Sequence, residues 1–315
     1  MSRTVLVTGA SGFIGRHLAA ALVERGVGVR AMTRNPDTYD GPGEPIEGDI
    51  ADRESLTRCL AGTDAAYYLV HSLKRDDFEQ ADAEGASNFA AAAGEAGLER
   101  VIYLGGLGRD DQDLSAHLRS RREVERLLAA GTVPVTVLRA AIVIGHGSIS
   151  WEITRQLVEH LPAMIVPHWA TTKTQPIALA DIVRYLVGVL DPVEARGRTF
   201  EVGGSDVLTY AEMMRRVARL HYHRPLPMLA VPLLTPRLSS HWLSFVTDVD
   251  TDTARNLVDS MSNEVVVTDD SIAEVVPGPP MGYNEAVMEA FRQRARSLDL
   301  APRASRSTPP SLGAP

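Results

Sequence analysis

Apolar and polar positions along the first 145 residues keep switching between a period of two and a period near 3.6. Thr4–Thr8 (TVLVT) is a short β-branched run, and an Ala- and Leu-rich segment then keeps helical spacing to Glu24, where Gly26 stops it. Val27–Thr33 reads as a second strand, NPDTYDGPGEP (35–45) as a loop, and Ile46–Ile50 (IEGDI) as a third strand. Asp52 stands where it can cap a helix through Ala61, and Ala65–Val70 is a fourth strand. A helix from about Asp76 to Ala96 follows, then a strand over Arg100–Leu104. A helix over Ser115–Ala130 carries Leu118, Val124, Leu127 and Leu128 on one side, and Val135–Leu138 is a sixth strand. This alternation predicts an α/β fold: a doubly wound parallel sheet covered on both faces.

After Gly145 the rhythm breaks. A helix near Ser150–His160, short strands at Met164–Val166, Pro176–Leu179 and Thr199–Val202, and helices from Leu179 and Thr209 are expected. A strand over Glu264–Val267 and a last helix over Tyr283–Leu298 follow. The chain thus divides into a nucleotide-binding domain (1–145), a mixed region that completes the fold and its pocket (146–298), and a Pro-, Ser- and Ala-rich tail (299–315) expected to be disordered. The apolar stretch Pro225–Val246 is broken by prolines and carries Arg237 and His241, so a membrane span is not expected. Peripheral membrane contact and a pocket-lining role both stay open for it.

Composition narrows the partners. A formal charge of −8 over 315 residues offers no basic field for nucleic acid, which leaves small molecules or proteins. The single cysteine, Cys59, forbids an internal disulfide and a multi-cysteine metal site and reads as a buried thiol in a reducing compartment. Met1 leads directly into a strand without a basic leader and long apolar run, so a cytoplasmic location is expected. The oligomeric state is not written in the sequence.

The strongest chemical signal is Gly9-Ala-Ser11-Gly12-Phe13-Ile14-Gly15, between the first strand and the first helix. Glycines there allow a tight turn and close approach of a pyrophosphate to backbone N–H groups at a positive helix end. NAD sites place an acid near the end of the second strand for the ribose 2′-hydroxyl; here Thr33 and Arg34 stand in that place. A guanidinium suits a 2′-phosphate, so NADP(H) is favoured over NAD(H). Asp49 and Ile50 fall where the adenine edge is met, with Asp49 either an acceptor from adenine or a turn carboxylate. Val70 and His71 close the fourth strand and should pass beside the pyrophosphate and nicotinamide ribose.

The segments VTGASGFIGRHL, GDIAD, RVIYLGGLG, HLRSRREVE and VLRAAIVIG, in that order, make the chain resemble the atypical extended short-chain dehydrogenase/reductases. It is most similar to the NmrA-like group and the nucleotide-binding accessory subunit of respiratory complex I. The resemblance covers about the first two-thirds of the chain and implies a Rossmann fold, bound NADP(H), and a substrate pocket built by the C-terminal part. It also implies a Ser or Thr after the fifth strand and a Tyr and Lys one helical turn apart. In their places stand Gly105-Gly106, His117 and Arg121, within SAHLRSR. Arg121 can hold ribose hydroxyls as a fixed cation, and His117 is a candidate acid whose pKa the cation one turn away should lower. Packing and solvation of the helix by both residues is the competing reading.

Tyr67, Tyr68 and Tyr103 lie in strands and read as core. Trp151, Trp169 and Trp242 could wall a flat acceptor but singly suit ordinary packing. Lys173–Asp181 resembles the family segment under the substrate pocket, with Asp181 as a helix cap. Two functions remain: an NADPH-dependent reductase of a quinone or conjugated carbonyl, and a non-catalytic NADP(H)-binding redox sensor or assembly protein. Sugar epimerase or dehydratase chemistry is the weakest, because it leans on the missing Tyr.

Overall fold

The computed structural model describes residues 3–72, 75, 77–230 and 251–300. Six strands are parallel and run β1 (Thr4–Val7), β2 (Gly28–Thr33), β3 (Glu44–Glu47), β4 (Ala65–Tyr68), β5 (Arg100–Gly106) and β6 (Val135–Ala140). A seventh, Thr199–Val202, pairs with β6, giving the spatial order Thr199–Val202, β6, β5, β4, β1, β2, β3. The chain reverses direction across the sheet between β1 and β4, the switch point at which such sheets open a crevice. Val7 pairs with Ala31 on one side and Tyr67 on the other.

Helix α1 (Phe13–Glu24) and the later α6 (Leu179–Gly188) cover one face, with Leu18, Leu22, Ile182 and Leu186 buried between them and the sheet. Helices α2 (Arg53–Leu60), α3 (Phe78–Ala96) and α4 (Ala116–Ala129) cover the other through Leu56, Phe89, Val124 and Leu128. Asp52 caps α2 by accepting from the Glu54 and Ser55 N–H groups, an arrangement typically worth about 1 kcal/mol. Cys59 is buried, its Sγ donating to the Glu47 carbonyl. Tyr67, Tyr68 and Tyr103 are buried, as expected of core.

A second core lies beside the carboxyl edge of the sheet. It is built by α5 (Ile149–His160), α7 (Tyr210–Tyr222) and the helix Tyr283–Leu300. Trp151 packs edge-on against Phe291 at 5.4 Å, and Trp169 against Tyr210 at 5.9 Å. Trp151 and Trp169 are core residues and do not line the cleft described below, while Trp242 lies outside the described residues.

Several expected boundaries shift. The third strand is Glu44–Glu47 rather than Ile46–Ile50; it is the sheet edge, where Pro45 costs no ladder bond. The fourth ends at Tyr68 rather than Val70, because the Thr8 hydroxyl takes the Leu69 N–H at 3.0 Å and turns Leu69–Ser72 into a loop. No strand forms over Glu264–Val267; Val265 alone bridges to Thr174. Asp181 is not a cap: α6 starts at Leu179 with Ala178 before it. The Asp181 carboxylate instead receives the Met281 N–H at 2.7 Å and the Arg184 guanidinium. The last helix continues to Leu300, so Asp299 and Leu300 belong to it; the rest of the tail, and 231–246 of the apolar stretch, lie outside the described residues. Among the described residues no helix is long and apolar enough to cross a membrane.

Candidate cofactor and acceptor cleft

Two hollows at the carboxyl ends of the strands join into one cleft, since Gly9, His71 and Ile149 line both. One, of about 510 Å³, lies over β2 and β3 and is bounded by Ser11, Thr33, Arg34, Asp49, Ile50 and Val70. The other, of about 310 Å³, lies over β5 and β6 and is bounded at its inner end by Gly12, Phe13, Ile14, Gly15, His117 and Arg121. All the residues singled out in the sequence for cofactor contact therefore line one continuous crevice.

The glycine turn is built for close approach. Gly9 adopts φ +65°, a conformation that favours glycine, and its carbonyl accepts the Gly12 N–H at 2.9 Å. A Cβ on Gly15 would drive into the Gly9 carbonyl and lie 2.9 Å from the Ala10 Cα, whereas a Cβ on Gly12 would meet only the Gly9 oxygen, at 3.1 Å. No side chain caps α1, so its first N–H groups are available at the positive helix end beside the turn.

Arg34 is exposed and, among the described residues, has neither ion pair nor hydrogen bond. Asp49 keeps both of its sequence readings: one carboxylate oxygen takes the Ala51 N–H at 3.0 Å, and the residue still lines the hollow.

His117 and Arg121 sit one turn apart at the start of α4. The N-cap Ser115 accepts the Leu118 N–H, donates its own N–H to Asn263 Oδ1 at 2.9 Å, and shares a hydroxyl contact with Ser260 at 3.1 Å. Tyr103 donates to the Arg121 carbonyl at 3.1 Å from below. Buried Asp82 takes the Ser72 N–H at 2.8 Å and the Ser120 hydroxyl at 3.1 Å, tying the His71 loop to α4. Among the described residues no carboxylate pairs with the Arg121 guanidinium.

A Cβ on Gly106 would lie 2.8 Å from Leu118 Cδ2, so α4 packs directly on the strand end where the resemblance implies a hydroxyl side chain. Burial, and after it Arg121, push His117 down to about 3, the direction expected with burial the larger cause. His71 opens to solvent along the cleft and is likewise pushed well below the usual histidine value by burial, Arg121 and His117. Both imidazoles are therefore neutral near pH 7 and offer one N–H and one lone pair each. Burial raises Tyr103 and Tyr210, so neither phenol is poised to ionise.

Asp82, Tyr210, Leu257, Ser260 and Asn263 were not singled out in the sequence. They come from single positions, four in helices and Asn263 in the bend after one, with no local motif around them, and only the long-range packing reveals them.

Residues 9–164 match the family described as NAD(P)H-binding. That match spans the glycine turn, the His71 loop and α4. Two curated relatives extend the similarity. The (4-alkanoyl-5-oxo-2,5-dihydrofuran-3-yl)methyl phosphate reductase of Streptomyces griseus is 28% identical over 227 residues, 69% of this chain and 73% of the relative. Subunit 9 of the NADH dehydrogenase (ubiquinone) 1 alpha subcomplex, a mitochondrial protein of Arabidopsis thaliana, is 27% identical over 221 residues, 66% of this chain and 55% of the relative. Among solved structures, an NADPH-dependent quinone oxidoreductase of Escherichia coli shares the fold with a TM-score of 0.73 at 19% identity, covering 91% of this chain and 99% of that one. The resemblance to reductases and to the complex I subunit thus holds in sequence, and the fold is that of a solved NADPH-dependent oxidoreductase.

Proposed function

We propose that the protein is an NADPH-dependent reductase of a quinone or other conjugated carbonyl compound. The observation that carries this reading is the cleft itself: a glycine turn and uncapped helix end at one side, and at the other a His71, His117 and Arg121 group facing an apolar wall. The unpaired Arg34 is a fitting partner for a 2′-phosphate and supports NADPH over NADH. Bound NADPH supplies a hydride.

In this reading Arg121 holds the nicotinamide ribose and keeps positive charge near the acceptor oxygen as that oxygen gains electron density. His117, neutral above pH 4, orients the oxygen through its N–H and is not a charged acid; the proton comes from water. An acceptor whose reduced form is a stabilised hydroquinone or enolate tolerates this better than a simple sugar hydroxyl does. The Streptomyces relative is named a reductase and the Escherichia coli protein a quinone oxidoreductase, and both names fit the same chemistry.

A second reading is favoured by one specific observation: the side chains the family uses are replaced at all three positions, and at Gly106 the Leu118 side chain packs where a Cβ would lie, 2.8 Å from it. In that case the protein is a non-catalytic NADP(H)-binding sensor or assembly component, as the likeness to a respiratory accessory subunit suggests. The deciding experiment mixes purified protein with NADPH and a panel of quinones, enones and aldehydes. Absorbance loss is followed, and nucleotide binding is measured separately. Oxidation above background is expected with at least one acceptor; tight binding without oxidation across the panel would favour the second reading.

A further inference from the structure

The acceptor half of the cleft joins a small polar end to an extended apolar wall. Arg121 is the one permanently charged residue among the described residues that line it; His71 and His117 are neutral near pH 7. The wall consists of Leu107, Leu118, Ile142, Ile149, Leu257 and Met261, with the hydroxyl residues Ser150, Tyr210 and Ser260 set among them. Ile149 is 37% exposed at the first turn of α5, where both hollows meet, so an apolar side chain stands in the cleft with water against it.

A nucleoside diphosphate brings two or more negative charges and needs several cations or aligned N–H donors to replace its hydration. Arg121 cannot supply that alone, and the helix end at Gly12 belongs to the dinucleotide. An apolar wall instead rewards hydrocarbon, in proportion to the area removed from water.

We infer that the acceptor is an uncharged carbonyl compound bearing a hydrocarbon chain, with its oxygen at His117 and Arg121 and its chain along Ile142, Ile149, Leu257 and Met261. Among the described lining residues nothing besides Arg121 carries a charge for a nucleotide sugar, which is expected not to bind. The inference rests on the reductase reading for which end of the ligand reacts, but its binding half is tested independently of turnover.

Straight-chain 2-alkanones of four to ten carbons, and UDP-glucose, are titrated into the protein by calorimetry, with and without saturating NADP+. The same ketones are then supplied with NADPH and absorbance is followed. Affinity is expected to rise roughly threefold per added methylene until the wall is covered, with no detectable heat from UDP-glucose. Leu257→Asp is expected to weaken the ten-carbon ketone at least tenfold more than the four-carbon one. A flat series in the wild type, or UDP-glucose binding more tightly than the ten-carbon ketone, overturns the inference. Length-dependent binding supports it whether or not the saturated ketones oxidise NADPH, and the reductase reading then stands or falls on the quinone and enone panel; oxidation with a flat series overturns the inference and leaves the reductase reading in place.

Discussion

The two halves of the cleft are assembled in different ways. The half assigned to adenosine is made by one strand, turn and helix plus the loops after β2, β3 and β4 and the start of α3, all but Ile149 within the first 84 residues, and what it offers a ligand is backbone N–H groups and an unpaired guanidinium. The acceptor half draws on scattered segments: the glycine turn, the ends of β5 and β6, α4, the start of α5, Tyr210, and the 257–265 segment. Backbone donors at a helix end are obligatory wherever the turn forms, so the first half is robust to sequence drift around it. Side chains brought together from positions between 9 and 265 are not, so the second half depends on long-range packing.

The sharpest way to break the first half is at its glycines. Gly12→Val places a branched side chain in the pyrophosphate path while meeting only one carbonyl of the turn, so a folded protein with NADPH affinity reduced more than about a hundredfold is expected. Gly15→Val, forced against the Gly9 carbonyl and Ala10 Cα, should instead lose the turn and fail to accumulate as folded protein. Calorimetry and a thermal melt on the pair separate the two effects; unchanged affinity in folded Gly12→Val would mean the turn does not hold the nucleotide.

The charges come next. Arg121→Ala is expected to weaken NADPH roughly ten- to hundredfold, since a charge-assisted hydrogen bond is worth about 1.5–3 kcal/mol. Arg34→Ala should remove a preference of more than about tenfold for NADPH over NADH while barely altering NADH affinity. Equal affinities for the two nucleotides in the wild type would sink the assignment of Arg34. Indifference to Arg121→Ala would place the nicotinamide against another wall.

This difference in construction also explains what could be read from the chain before its structure. The glycine turn, Arg34, Asp49, Val70 and His71 lie on or just after elements with clear periodicity, and all line one crevice. Asp52 was legible as a cap because its role is local. Asp181 misled because an acid near a helix start resembles a cap, while its real partner, the Met281 N–H, is 100 residues away. Glu264–Val267 reads as a strand from three consecutive valines, but the segment finds no strand partner beyond the single Thr174 bridge. Asp82 and Leu257 carried no signal at all, since a buried acid and a half-buried leucine on helices become informative only when the facing element is known.

Within the acceptor half, His117→Phe probes whether the histidine is an acid or an orienting donor. A general acid would cost about 10²–10⁴-fold in kcat, with cofactor affinity unchanged. An imidazole held near 3 and neutral at working pH should cost no more than about tenfold, and the wild-type rate should show no step between about pH 5 and pH 8 that disappears in the variant. Such a step, lost in His117→Phe, would restore the acid.

The smallest expected effect is on stability, and it tests the same histidine without any substrate. His117 has a folded-state pKa below its unfolded value, so below the unfolded value near 6.5 the unfolded chain binds more protons than the folded one. Its contribution is full above about pH 6.5 and is lost as pH falls toward 3. Between about pH 7.5 and pH 5 this amounts to at most roughly 2 kcal/mol, less to the extent that the cleft-facing edge of the ring stays hydrated. His71 acts with the same sign. His117→Leu should therefore flatten the fall of the urea midpoint over that interval relative to wild type, whatever its effect on stability at pH 7.5. Parallel wild-type and variant curves would mean that the imidazole is hydrated and free to charge, and the neutral, orienting role argued for it would fail with them.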